Sequence, residues 1–117
     1  MAEDTALDRE FLEELLDGDV EFAQVLFETY FQSADAAYVE AEERLAADDS
    51  GNAFRPFHTL KGASASVGLV GVQELAKSME LRAKAGELDY CREQMPNLKA
   101  VLESAKSVLS EYLESLS

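Results

Sequence analysis

Few residues of this chain can form a cross-link or bind a metal ion through nitrogen or sulfur. The 117 residues include one cysteine, Cys91, and one histidine, His58. A single cysteine cannot form an internal disulfide, and one His with one Cys does not supply the three or four ligands of a zinc site. The N-terminus lacks the pattern of a signal peptide, and no apolar run approaches the ~20 residues that span a bilayer. We therefore expect a cytoplasmic protein with no membrane contact and no cofactor of its own.

Basic residues are also scarce. There are 10 Lys and Arg against 24 Asp and Glu, and the formal net charge is −14. Nucleic acids and anionic membrane surfaces bind proteins through Lys- and Arg-rich faces, so both are poor partners for this chain. The composition favours another protein as the partner.

Two prolines and six glycines leave long stretches without helix breakers. Between them, apolar residues recur at helical spacing and predict an all-α fold. The predicted helices are a short one within residues 5–18, then 20–47, 53–67, 72–85 and 89–116. Asp19 is a candidate N-cap for the second helix. The first helix places a group of apolar residues on one side: Leu7, Phe11, Leu12, Leu15 and Leu16.

Long helices joined by short turns predict antiparallel neighbours. We expect helices two to five to form an antiparallel up-and-down four-helix bundle, with the short N-terminal helix packed on it. Residues 1–117 would form this single domain. The chain has no room for an ATP-binding domain and no glycine-rich phosphate loop, which excludes an autonomous histidine kinase.

The third helix lies in "FRPFHTLKGASASVG", residues 54–68. A helical wheel gathers four residues on a face that we assign to the core: Phe57, Leu60, Ser64 and Val67. His58, Lys61, Gly62 and Ala65 share an adjacent face. That face carries one reactive group and one cation, and its small residues would let a partner approach the backbone closely.

This second face suits phosphoryl chemistry. A neutral imidazole offers a nucleophilic lone pair, and phosphoryl transfer needs chiefly positioning and cations around the transferred oxygens. Lys61 lies one turn from His58 and can supply a cation. Half of the basic residues fall on the third and fourth helices: Arg55, Lys61, Lys77, Arg82 and Lys84. Considered alone, however, a histidine on a helix is more often structural or simply exposed.

The longer stretch "FHTLKGASASVGLVGVQELAKSME" resembles the histidine-containing phosphotransfer (HPt) domain family. The resemblance implies a four-helix bundle whose histidine accepts a phosphoryl group from a receiver-domain aspartate and passes it to another receiver. His58 matches the phospho-acceptor, Lys61 the lysine that neutralises the phosphoryl oxygens, and Gly62 the glycine that gives the receiver room. Glu80 matches the position at which many family members carry glutamine or glutamate bound to the histidine Nδ1 hydrogen, leaving Nε2 as the nucleophile.

The resemblance also implies partners. These would be response-regulator receiver domains, which carry the Mg²⁺, and a hybrid or chemotaxis-type histidine kinase. The chain would then be a monomeric phosphoryl carrier with a phosphohistidine intermediate, not an enzyme. We expect an aromatic docking patch near His58 that includes Phe54, Ala65 and exposed residues of the second helix such as Phe27 or Phe31.

Two other interpretations stay open. The chain could be a helical adaptor that binds a receiver or kinase without being phosphorylated. It could also be the phospho-acceptor domain of a larger chemotaxis-type kinase, in which glutamate is common at the position of Glu80. The intact His58, Lys61 and Gly62 set disfavours the adaptor, which would have no need of it.

Overall fold

A computed structural model describes residues 6–116 and shows an all-helical protein. Its helices are α1 (Arg9–Leu16), α2 (Val20–Ala46), α3 (Arg55–Ser66), α4 (Val70–Lys84) and α5 (Leu88–Leu116). Within these residues the only β-type pairing is an isolated bridge between Leu7 and Leu69. The predicted all-α class is therefore confirmed.

Aspartate side chains begin the first two helices. The Asp8 carboxylate accepts a hydrogen bond of 3.1 Å from the backbone N–H of Phe11, and Asp19 accepts one of 3.0 Å from Phe22. Each bond satisfies a backbone donor that the helix itself leaves unpaired. The cap predicted at Asp19 is thus confirmed, and the start of α2 is set by local sequence.

Helices α2 to α5 pack in a closed ring around one hydrophobic core. Helices α2 and α4 each contact both α3 and α5, while α1 contacts α2. Four buried alanines of α2 allow close approach of its neighbours: Ala23, Ala34, Ala37 and Ala41. Because α3 and α4 are neighbours in the ring, side chains from the two helices can meet.

The α1 helix covers the core with only part of its apolar side. Leu12 and Leu16 are buried, whereas Phe11 and Leu15 are exposed. Phe11 and Leu15, which belong to the predicted apolar side of α1, are therefore not packed in the core. A single helix rests on the rest of the fold along a narrow line, so apolar residues at the margins of a broad stripe stay in contact with water.

The segment before α1 is fastened to the turn between α3 and α4. Asp8 donates its backbone N–H to the carbonyl of Gly68 at 2.8 Å, and Val70 donates to the carbonyl of Ala6 at 2.9 Å. Gly68 has φ +73°, in the left-handed region that glycine adopts without strain. The turn is short, so α4 begins at Val70, two residues before the predicted start.

We expect Gly68→Ala to destabilise the protein more than Gly86→Ala. Both glycines have positive φ, so alanine costs each about 1–2 kcal/mol of unfolding free energy. A Cβ at Gly68 would also lie 3.2 Å from the Asp8 carbonyl oxygen and from the Phe11 ring, whereas one at Gly86 meets nothing within 4 Å. Chemical denaturation measures both losses, and hydrogen exchange at α1 amides should quicken only in Gly68→Ala. Equal losses in the two variants would contradict the role given to the α1 contact.

The lone cysteine belongs to the core. Cys91 is buried, and its thiol donates to the backbone carbonyl of Met79 at 3.4 Å. Burial raises the pKa of this thiol, which makes it a poor metal ligand and nucleophile. Across residues 6–116 no three His, Cys, Asp or Glu side chains are grouped to hold a metal ion. In the same span no helix is long and apolar enough to cross a membrane.

Candidate functional site

The face of α3 that carries His58 points away from the core. Phe57 and Leu60 are each 1% exposed, while the His58 side chain is 64% exposed. The core face predicted from the helical wheel, including Ser64 and Val67, is confirmed because both residues are fully buried. The buried neighbours fix the rotation of α3 and so hold the base of the His58 side chain, while its ring remains open to solvent.

Ser64 finds a polar partner inside the core. Its Oγ lies 2.9 Å from the hydroxyl of Tyr30 on α2, and both groups are buried. Burial raises the pKa of Tyr30 to about 12, although the hydrogen bond with Ser64 opposes the shift. The phenol therefore stays neutral at physiological pH, and the pair fixes the position of α3 along α2.

Glu80 on α4 is the centre of the site. Its side chain is only 3% exposed. One carboxylate oxygen, Oε2, lies 2.8 Å from His58 Nδ1 and 3.4 Å from the Lys84 ammonium. The other, Oε1, lies 2.8 Å from the Lys61 ammonium. A buried carboxylate needs such partners, because an unpaired charge away from water is strongly unfavourable.

These contacts keep Glu80 ionised. Burial alone would raise its pKa, but the hydrogen bonds from Lys61, His58 and Lys84 outweigh burial and lower the pKa to about 2. At neutral pH the carboxylate therefore has no proton to donate and can only accept. It follows that Nδ1 of His58 carries the hydrogen of the shared bond. In the neutral ring the lone pair is then on Nε2, which has no hydrogen-bonding partner among residues 6–116.

We expect Glu80→Ala to mix the two neutral tautomers of His58. The carboxylate selects the Nδ1–H form because it accepts only from a nitrogen that bears hydrogen. Without it, both forms become populated. Ring ¹⁵N chemical shifts report the tautomer ratio directly, and no other histidine interferes. An unchanged ratio in the variant would show that Glu80 does not set the tautomer.

Lys61 lies at the site but is engaged by Glu80. Its side chain is 31% exposed and its ammonium contacts Oε1 rather than open solvent. The sequence predicted a cation near His58, and the lysine is there. The ion pair with a residue of the neighbouring helix was not predicted.

Gly62 is not required by the packing of this chain. A Cβ built at Gly62 meets nothing within 4 Å, and the residue is exposed in the middle of α3. Ala65, one turn further on, is half-buried. The surface beside His58 therefore has little side-chain bulk. A side chain at Gly62 would project into solvent.

The residues predicted to form a docking patch have different environments. Phe54 and Phe31 are half-buried and keep part of their rings in contact with solvent. Phe27 is only 2% exposed and packs edge-on against Tyr112 of α5, with ring centroids 6.3 Å apart. The prediction that Phe27 is an exposed docking residue is therefore wrong. Helix α2 packs against both α3 and α5, so its buried stripe is wider than the stripe of a helix with one neighbour.

Comparison with known proteins assigns a family to this fold and site. The family model of the Hpt domain matches residues 25–108. The chain belongs to the Hpt domain family. The phosphorelay intermediate protein rdeA of Dictyostelium discoideum is 27% identical to it over 105 residues, which are 90% of this chain and 41% of that protein. The chain thus spans about two-fifths of the length of this relative. No solved structure matches the chain significantly.

The Hpt match covers the whole site. It begins in α2 and ends in α5, so it includes His58, Lys61, Gly62 and Glu80. The helix α1 lies outside the matched residues.

Sequence reasoning about this Hpt domain missed the position of Lys84. The sequence places Lys84 only among the basic residues of the third and fourth helices. In the structure it reaches Glu80 from the next turn of α4, and its ammonium also lies 5.1 Å from the centre of the Phe54 ring. The signal that could have found it is the spacing of four residues, with Glu preceding Lys, that favours ion pairs on helices. Arg82, from the same basic group, instead pairs with Glu87.

Proposed function

We propose that this Hpt domain is a histidine phosphotransfer protein of a two-component phosphorelay. His58 accepts a phosphoryl group from the aspartyl phosphate of a receiver domain, or from a kinase, and passes it to another receiver. The observation that carries the proposal is the His58 ring, which is 64% exposed and whose Nδ1 is bound to a buried carboxylate at 2.8 Å, so that Nε2 is left as the nucleophile. Family membership and the likeness to a phosphorelay intermediate protein support it.

The transfer step follows from this geometry. The Nε2 lone pair of His58 attacks the phosphorus of the aspartyl phosphate. A bond forms between Nε2 and phosphorus, the bond between phosphorus and the aspartate oxygen breaks, and its electron pair leaves on the aspartate carboxylate. Mg²⁺ held by the partner receiver offsets charge on the donor. Delivery to the next receiver is the reverse of this step.

Glu80 offsets the charge that the ring gains. Because Nδ1 keeps its hydrogen, the ring becomes formally cationic when Nε2 bonds to phosphorus. The ionised carboxylate, 2.8 Å from Nδ1, stabilises that cation at the position where it forms. Lys61, one turn along α3, supplies the cation for the phosphoryl oxygens, which requires its ammonium to leave Oε1 of Glu80.

The surface on which a receiver domain docks surrounds His58. Gly62 and Ala65 provide the clearance, and the partly exposed rings of Phe54 and Phe31 supply apolar contact. Transient partners of this kind are bound through a few aromatic anchors. The partners are receiver domains and a hybrid or chemotaxis-type histidine kinase, with no role for nucleic acid or membrane.

The architecture we propose is the antiparallel up-and-down four-helix bundle of α2 to α5, with α1 packed against it. The closed ring of helix contacts supports it. In this proposal the chain is a single Hpt domain that acts in the cytoplasm as a monomeric phosphoryl carrier.

The proposed function is tested by incubating the protein with phosphorylated receiver domains and following labelled phosphate. Label that reaches the chain in an acid-labile, base-stable form supports a phosphohistidine carrier. Receivers that bind the chain without transferring label would support the adaptor and contradict our proposal.

We expect Gly62→Gln to slow the transfer while making the protein more stable. Replacing glycine inside a helix raises the unfolding free energy by about 0.5–1 kcal/mol, because the unfolded chain loses freedom. The new side chain has room in the free protein but projects from the face that a receiver must approach. Stopped-flow transfer and thermal unfolding measure the two effects.

Gly62→Ala is the matched control, because it gives a similar gain in stability and little obstruction of the receiver. Transfer at the wild-type rate in Gly62→Gln would contradict the clearance argument.

A further inference from the structure

The Glu80 carboxylate contacts two ammonium groups, although one would suffice to form an ion pair. Lys61 binds Oε1 at 2.8 Å, while Lys84 lies 3.4 Å from Oε2, the oxygen that accepts from His58. The two lysines reach the carboxylate from different helices, α3 and α4. Their shared partner, Glu80, is the one charged residue that is buried in the described part of the chain.

We propose that Lys84 is a positioning residue for the phosphorylated state: it keeps the buried Glu80 carboxylate compensated when Lys61 turns to the phosphoryl group. The inference rests on the proposed function, because it concerns what happens to the site once Nε2 carries phosphate.

The phosphoryl group changes the distribution of charge around Lys61. A phosphoryl group on Nε2 brings up to two negative charges to within one helical turn of Lys61. The Lys61 ammonium is therefore drawn from Oε1 toward the phosphoryl oxygens. Glu80 would lose its shortest lysine contact while it remains 3% exposed. Without Lys84, the His58 ring would then be the only cationic partner of Glu80, and the carboxylate would lose much of the compensation that keeps it ionised and able to stabilise that ring.

Lys84 is held where it can keep the Glu80 carboxylate ionised in the phosphorylated state. It follows Glu80 by four residues on α4, so its backbone position does not depend on α3. Its ammonium also lies 5.1 Å from the centre of the Phe54 ring, a cation–π contact that restrains the flexible side chain. Phe54 thus supports Lys84 in addition to offering apolar surface.

The first test uses the unphosphorylated protein and does not depend on transfer. ¹³C NMR of the Glu80 carboxyl group is followed against pH in wild type, Lys61→Gln, Lys84→Gln and the double variant. Each single variant should raise the pKa of Glu80 only partly, because the other lysine remains. The double variant should raise it by more than the sum of the single shifts. A double variant that titrates like Lys61→Gln alone would overturn the inference.

The second test measures the equilibrium of phosphoryl groups between His58 and a receiver domain. Lys84→Gln should shift it toward the receiver by about 1.5- to fivefold, the range of an exposed ion pair. Lys84→Arg should restore the wild-type ratio. Lys77→Gln is the matched control, because Lys77 is exposed on the same helix and its loss changes the net charge equally.

The outcomes separate the two proposals. A wild-type protein that takes up no phosphoryl group would overturn the proposed function and this inference with it. Normal transfer in the wild type, with Lys84→Gln behaving like Lys77→Gln, would overturn the inference alone.

Discussion

Replacing His58 by glutamine should abolish phosphoryl acceptance and leave the fold intact. Glutamine offers no nucleophilic nitrogen, and the chain has no second histidine that could take its place. The substituted side chain is 64% exposed, and Lys61 and Lys84 still compensate Glu80 when its bond to His58 is lost, so the unfolding free energy should change by only about 1 kcal/mol. Labelled phospho-receivers measure acceptance, while circular dichroism and chemical denaturation measure the fold.

A small phosphoryl donor provides the control for this variant. Phosphoramidate needs no docking surface, so it separates loss of the acceptor from loss of receiver binding. Wild-type protein should gain acid-labile, base-stable phosphate from it, and His58→Gln should gain none. Acid-labile phosphate on His58→Gln from either donor would refute the assignment of His58 as the acceptor.

Replacing Glu80 by glutamine should lower both stability and transfer. The amide keeps the size of the side chain but removes the charge that binds Lys61 and Lys84. Loss of a buried, charge-assisted network is expected to cost about 1–3 kcal/mol of unfolding free energy, and both lysines are exposed enough to regain part of their hydration. Transfer should slow because the amide does not offset the cationic ring.

The loss of stability in Glu80→Gln should depend on pH. Folding lowers the pKa of Glu80 from its ordinary value of 4.5 to about 2, so folding favours the ionised form. The stabilisation from its charge is therefore fully present above about pH 5 and is lost as the pH falls toward 2. The gap in unfolding free energy between wild type and Glu80→Gln should narrow over that interval. Comparing the two proteins at each pH cancels the titration of the other carboxyl groups. A gap that stays constant from pH 7 to the lowest pH at which both proteins fold would contradict the role of the charge.

The site was predictable from sequence only up to the face of a single helix. The spacing of Phe57, Leu60 and Ser64 located the buried side of α3, and His58 followed as an exposed residue. The motif around His58 and Gly62 then carried the family resemblance. These inferences worked because they depend on residues within a few turns of one helix.

Contacts between helices were harder to predict from the sequence. Phe27 lies on the stripe that packs α2 against two neighbours, which its own sequence spacing does not reveal. Phe11 and Leu15 are apolar but exposed. Helix α1 has too few neighbouring helices to bury its whole apolar side. Whether an apolar residue is buried depends on how many helices pack around it, and that number belongs to the assembled fold.

The sequence by itself determined the helices, the aspartate cap of α2 and the core face of α3. Each of these depends on hydrogen bonds or periodicity within a short segment. Only the tertiary structure decided that Glu80, 22 positions after His58, accepts from its Nδ1 and is shared by Lys61 and Lys84. The physical reason is that a helical wheel gives the direction of a side chain from its own axis. The distance to a group on another helix, and the depth at which the two meet, are set when the helices pack, and these fix the ionisation of Glu80 and the tautomer of His58.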